Sequence, residues 1–232
     1  METTATLLLD IHTHRLPPVP GTAIVSVCPP DFRPEAGHLY SVGLHPWRLG
    51  EEGQTLDALE AALRHPQAVA VGEAGLDRLA KAPLQEVQIP LFEAQARLAD
   101  ERGLPLVIHL VRCTAELLAS RRRLRPRVPW VVHGFRGKPQ LAAELLRHGL
   151  CLSFGEHYQA DALRITPTDR MFLETDESTA PIGTLCQRAS ALLGSPVQSL
   201  RQTLAENATK CFFSGKNFAS SQKGRIFAPK FD

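Results

Sequence analysis

A compact, distorted α/β barrel of the (β/α)8 TIM type is the fold this sequence predicts, and three observations predict it. Short apolar runs alternate with longer helical patterns through the first three quarters of the chain, the pattern of β/α units built around a parallel sheet. The runs number eight, at 6–12, 22–28, 39–44, 68–72, 105–109, 128–133, 150–154 and 170–174. Five of them end on a residue type that binds metals: His12 and His14, Glu73, His109, His133 and Asp176. At 232 residues the chain is short for a barrel, so some crossovers must be loops. An open doubly wound sheet is the competing arrangement, but neither a G-x-G-x-x-G nor a P-loop follows the first strand.

The elements follow in order. The first two crossovers, 15–22 and the proline-rich 29–37, read as loops. Leucines 56, 59 and 63 give helical spacing over 55–63, and Leu91, Ala94, Leu98 and Ala99 do so over 84–102, where Gly103 stops the helix. Further helices are expected at 140–148, ended by Gly149, at 181–193, ended by Gly194, and at 197–205. Residues 1–214 thus read as one barrel domain, and 215–232, which lose periodicity, as a C-terminal tail on the surface.

Composition narrows the class. A 44% apolar content is ample for one core, and a net charge of +2 gives no global case for nucleic acid, so any such claim needs a local patch. No apolar run approaches the roughly 20 residues of a membrane span, and Glu2 and threonines follow Met1 where a leader would carry basic and apolar residues. Five cysteines without a C-x-x-C spacing argue against a disulfide framework and a zinc knuckle. A cytoplasmic protein with no membrane association and no obligate protein partner is expected.

Side chains alternate along a strand, so His12 and His14 point the same way and can reach one ion. In a parallel barrel the carboxyl ends of the strands gather on one face, which brings Glu73, His109, His133 and Asp176 to the same place. Four histidines and two acids can fill two neighbouring sites with a carboxylate such as Glu73 between them. The mixed nitrogen and oxygen set suits Zn²⁺, Mn²⁺ or Fe²⁺ better than a pure magnesium site. Individually each residue has a plainer reading: His109 or His133 as a buried histidine on a carbonyl, Glu73 as an arginine partner, Asp176 as a helix cap.

The motifs D-I-H-T-H at 10–14, S-V-G-L-H-P-W at 41–47, V-G-E-A-G-L-D at 71–77, L-P-L-V-I-H at 104–109, V-V-H-G-F-R-G at 131–137 and L-E-T-D at 173–176 resemble those of the TatD-related metal-dependent deoxyribonucleases, a branch of the amidohydrolase-like barrels. The pattern of Gln88, Phe92, Gln95 and Leu98-Ala99 also fits, the likeness runs from Asp10 to about Phe212, and the compact segment between His14 and Tyr40 resembles the shorter bacterial members. The resemblance implies two divalent metal ions, with Zn²⁺ favoured as bound and Mn²⁺ or Mg²⁺ able to support activity. It implies one ion on His12, His14, Glu73 and Asp176, and the other on Glu73, His109 and His133. Catalysis would fall to Glu73 and Asp176, the latter as general base. Larger amidohydrolases use a carboxylated lysine as the bridge; the fourth strand has no lysine, and Glu73 takes that place.

Substrate contacts are expected from His45, Arg112 and Arg136, on loops of the ligand face. His45 has the alternative role of orienting Glu73, and Asp77 that of accepting a bond from a liganding histidine. The family's arginine lies two residues after the fifth-strand histidine, whereas Arg112 lies three after His109. Trp47 can stack a base or pack at the rim, and Trp130 reads as core. The run Arg121 to Arg127 precedes the sixth strand, so it reads as a solvated helix end on the far side of the barrel. The function expected is hydrolysis of DNA phosphodiester bonds, at ends or in single strands, by a metal-activated water. Amide or lactone hydrolysis, or a metal-binding protein without turnover, are the rivals.

Overall fold

The computed structural model describes residues 7–214; the expected tail, 215–232, lies outside the described residues. Eight parallel strands close into a barrel in sequence order: β1 (Asp10–Thr13), β2 (Ala23–Val27), β3 (Leu39–Val42), β4 (Ala68–Asp77), β5 (Leu106–Val111), β6 (Trp130–Val132), β7 (Cys151–Phe154) and β8 (Met171–Leu173). As expected, no helix of full length follows β1 or β2; a single 3-10 turn, Pro29–Asp31, stands after β2. The helices are α1 (Leu56–Ala62), α2 (Ile89–Arg102), α3 (Thr114–Leu124), α4 (Pro139–Arg147), α5 (Ala160–Ile165), α6 (Ile182–Leu193) and α7 (Val197–Phe213). None of them is long and apolar enough to cross a membrane.

One apolar cluster joins Leu8, Ile24, Leu39, Val69, Val107, Val131 and Phe172 to Phe212 and Phe213 at the end of α7. His109, His133 and Glu174 come two residues after Val107, Val131 and Phe172, so the period of two aims all three along the same face, above this plug. A larger cluster, including Leu106, Ile108, Val132 and Leu152, packs the outer face of the sheet against the helices. The barrel thus has an apolar floor and a polar mouth.

Two elements run furthest past their expected ends. Strand β4 continues to Asp77 and is buried throughout, with a register shift between Val71 and Ala74. Glycines permit this: a Cβ on Gly72, whose φ is +149°, would lie 2.7 Å from the Val107 carbonyl, and one on Gly75 would lie 2.2 Å from the His109 carbonyl. The irregularity aims Glu73 into the mouth. Helix α7 runs eight residues past its expected end at 205, because Asn207 donates to the Thr168 and Met171 carbonyls (2.6 and 3.0 Å) and Phe212 and Phe213 close the floor.

The arginine run lies opposite the mouth, and Arg122, Arg123, Arg125 and Arg127 are exposed at the helix end as expected, whereas Arg121 is half-buried. Arg121 donates to the His148 and Gly149 carbonyls (2.6 and 3.0 Å), just before β7, and its guanidinium sits 5.2 Å from the centroid of buried Trp130. Arg123 pairs with Glu93, and Arg127 with Asp100 at 2.9 Å. These side chains fasten α3 to the helices on either side. Arg121→Ala should therefore lower stability by about 2 kcal/mol, the scale of losing charged hydrogen bonds and a cation–π contact. Chemical denaturation measures it, and a change within error would return the residue to the solvated surface.

Candidate metal centre

Glu73 is 6% exposed and stands inside a ring of imidazoles. Its Oε1 lies 2.8 Å from His109 Nδ1, 2.7 Å from His133 Nε2 and 3.1 Å from His45 Nε2; its Oε2 lies 3.4 Å from His12 Nε2 and 3.7 Å from His14 Nε2. Burial works against the charge on this carboxylate, but the His133 charge and the histidine contacts outweigh it and hold the group well below the usual glutamate value. The same balance, burial opposed by Glu73 and Glu174, keeps His133 well above the usual histidine value.

Asp176 reaches the cluster through a left-handed backbone, φ +53°, a conformation aspartate tolerates better than most residues. Its N–H donates to the His12 carbonyl (2.9 Å) and its carbonyl accepts from the His14 N–H (3.4 Å), so the closure of the barrel between β1 and β8 continues one step past the strands. That places Oδ1 3.5 Å from His14 Nε2 and 3.8 Å from His12 Nε2. All six residues expected as ligands are therefore brought together.

Hydrogen bonds to the second nitrogen assign the tautomers. His109 turns Nε2 to Asp77 Oδ2 (2.9 Å) and His133 turns Nδ1 to Glu174 Oε1 (3.3 Å). On binding an ion, each ring would lose the proton it now shares with Glu73 and offer that nitrogen as a lone pair, the arrangement of a liganding histidine with an acid behind it. His45 is different. Its Nδ1 accepts from the Trp47 N–H (3.1 Å), so in the neutral ring Nε2 carries the proton and donates to Glu73. The ring lines the mouth as a donor.

The donor chemistry fits a metal. His12, His14 and Glu73 offer atoms within 4.8 Å of one another, as do His12, His133 and Asp176, and His45, Glu73 and His109. Both nitrogens of His12 are buried without a hydrogen-bond partner among the described residues, and orphan buried donors or acceptors cost too much to be ordinary. The first grouping agrees with the ligand set the resemblance implied. The other two distribute His133, Asp176 and His45 differently.

Two residues escaped the sequence reading. Glu174, fully buried, accepts from the Gly134 N–H (2.6 Å) while it faces His133. Asp10 accepts from the Thr175 hydroxyl and N–H (2.6 and 3.0 Å) and from the His12 N–H (3.3 Å), tying β1 to the segment that bears Asp176. Burial pushes the Asp10 carboxyl up to about 7 against the lowering effect of the Thr175 bonds. The signal was available: each acid stands two residues before an expected ligand, hence on the ligand's own side of the strand.

Arg112 and Arg136 are exposed, line the same cleft of about 1260 Å³, and have no acidic partner among the described residues. Arg112 also takes a left-handed backbone, φ +55°, and its carbonyl accepts from Arg78 (3.0 Å). Asp77 is fully buried. Its Oδ2 accepts from the Trp47 indole (2.6 Å) as well as facing His109, and its Oδ1 accepts from the Leu79 N–H (2.7 Å). Those bonds and His109 outweigh burial and lower its carboxyl below the ordinary aspartate value.

A closed parallel barrel with histidines and acids gathered at the carboxyl ends of its strands defines a TIM-type barrel with a candidate metal-binding cluster at its mouth. More narrowly, the chain belongs to the TatD related DNase family, whose profile matches residues 35–213. It is 32% identical over 152 residues to the uncharacterized metal-dependent hydrolase YjjV of Escherichia coli, covering 61% of this chain and 59% of that protein. It is 32% identical over 151 residues to the 3′-5′ ssDNA/RNA exonuclease TatD of Erwinia billingiae, covering 60% and 58%. The aligned part thus spans about three fifths of the length of these relatives. Among solved structures, YjjV of E. coli superposes with a TM-score of 0.71 at 22% identity, covering 90% of this chain and 98% of that one. A TatD family hydrolase of Entamoeba histolytica gives 0.72 at 16%, covering 90% and 99%.

Proposed function

We propose that this protein is a metal-dependent phosphodiesterase acting on single-stranded nucleic acid, DNA first. The observation that carries the reading is the Glu73 carboxylate enclosed by five imidazoles at the floor of a cleft where Arg112 and Arg136 have no acidic partner among the described residues. Two divalent ions, Zn²⁺ favoured, would be held by His12, His14, Glu73, His109, His133 and Asp176, and would supply a nucleophile at neutral pH and neutralise the attacked phosphate. The chain's own groups do the rest. Asp77 and Glu174 fix the two histidines behind them, and His45 donates to Glu73 or to a phosphate oxygen. Asp176, at 23% exposed the most open acid of the cluster, takes the proton of the attacking water as the new P–O bond forms and the bond to the leaving nucleotide oxygen breaks. The relatives named as 3′-5′ ssDNA/RNA exonucleases support the single-stranded substrate and extend it to RNA. The five free cysteines support a reducing compartment such as the cytoplasm.

The test is parallel assay of metal-loaded protein on 5′-labelled single-stranded DNA, duplex DNA, RNA and a panel of amides and lactones. Cleavage of the single strands is expected, and turnover of amides or lactones alone overturns the proposal. Arg136→Ala should raise the DNA concentration needed for half-maximal rate and reduce the salt slope of binding by about one unit, as the loss of one phosphate contact does. An unchanged slope removes Arg136 from the substrate path.

A further inference from the structure

Trp47 and Leu79 are the most exposed large apolar side chains among the described residues, at 66% and 65%. Single exposed apolar residues need no explanation, but these two are fastened to the same buried acid. The Trp47 indole N–H donates to Asp77 Oδ2 and the Leu79 N–H to Asp77 Oδ1. Asp77 is itself held, its N–H donating to Gln88 Oε1 (2.7 Å) and its carbonyl accepting from Gln88 Nε2 (2.9 Å). The indole is therefore exposed without being free to turn. It meets the rings of His45 and His109 at 83° and 74°, with centroids 5.3 and 5.6 Å away, so neither imidazole lies flat on it. A fixed and uncovered aromatic surface stands one ring away from the atoms around Glu73, at the rim of the cleft that Arg136 also lines.

We infer that Trp47 is a stacking platform for the nucleobase next to the attacked phosphate, an inference that rests on the nuclease reading above. A π surface takes any base and ignores the sugar. It accepts only a base free of its own neighbours, which selects unpaired ends and single strands. The bond to Asp77 holds the platform at a set distance from the reacting phosphate, since the same carboxylate oxygen orients His109.

Two variants separate the platform from its anchor. Trp47→Ala removes both the aromatic surface and the N–H; Trp47→Phe keeps a surface and loses the N–H. With labelled single-stranded DNA, Trp47→Ala should raise KM about tenfold or more, more than it lowers kcat, and Trp47→Phe should restore most of that loss. On a strand whose terminal nucleotides are abasic, wild type and Trp47→Ala should have the same KM. Equal damage on abasic and base-bearing strands, or Trp47→Phe as impaired as Trp47→Ala, overturns the platform. A second readout does not need turnover: because Trp130 is fully buried, a phosphorothioate-linked oligothymidylate should quench the tryptophan emission of the metal-loaded enzyme, and Trp47→Phe should abolish the quench. Quenching without hydrolysis of any strand keeps the platform and rejects the nuclease reading. Hydrolysis without quenching, with Trp47→Ala unimpaired, does the reverse.

Discussion

Glu73→Gln is expected to empty the metal centre while leaving the barrel folded. The substitution preserves shape and volume, so the backbone irregularity of β4 and the packing around Val107 persist. What it removes is the one anion placed between His109, His133 and His45 on one oxygen and His12 and His14 on the other. An amide offers one neutral acceptor oxygen and turns an N–H₂ toward the other imidazoles, whose lone pairs a divalent ion needs. Losing an outer partner of a ligand typically weakens metal binding by about 10- to 100-fold; losing the shared carboxylate should exceed that. Elemental analysis after gel filtration should find metal well below that of wild type, with hydrolysis absent and far-UV circular dichroism unchanged. A variant that retains two equivalents of metal and cleaves DNA at the parent rate would falsify the assignment of Glu73 as the bridging ligand.

Asp176→Asn should act on turnover more than on metal or fold. The left-handed turn at this position is kept by backbone bonds to His12 and His14, and asparagine tolerates that conformation as readily as aspartate. The side chain is partly exposed to the cleft and its Oδ1 stands 3.5 and 3.8 Å from the His14 and His12 imidazoles, so neutralising it breaks no short contact. Basicity is what disappears, and a positioned general base contributes about 10²- to 10⁴-fold. We expect kcat to fall at least about a hundredfold with the melting temperature within a few degrees of the parent. Near-parent cleavage with the metals in place excludes Asp176 as the base and points to another proton acceptor.

The barrel and the gathering of its candidate ligands on one face were legible in the sequence because both follow from local periodicity. Eight apolar runs with helical patterns between them specify a parallel sheet, and the period of two sends His12 with His14 and aligns His109 and His133 with Val107 and Val131. The missing early helices were legible too, since prolines and the short spacing of 15–22 and 29–37 leave no room for them. The second half of α7 was not, because Glu206 to Lys210 carry little apolar pattern and that stretch is held by Asn207 and by the barrel floor. Helix α5, at six residues, is too short to show a period.

What only the tertiary structure decided is which partner each polar group meets. That Asp77 binds Trp47 and His109 at once, that His45 meets Glu73, that Glu174 stands behind His133, and that Arg121 caps the turn before β7 are all contacts between segments at least 27 residues apart in the chain. A sequence pattern reports the face on which a side chain lies, because that is set by the residue's own backbone. Hydrogen-bond partners and tautomers are set by the register of neighbouring strands and by the loops above them, and these exist only once the sheet has closed.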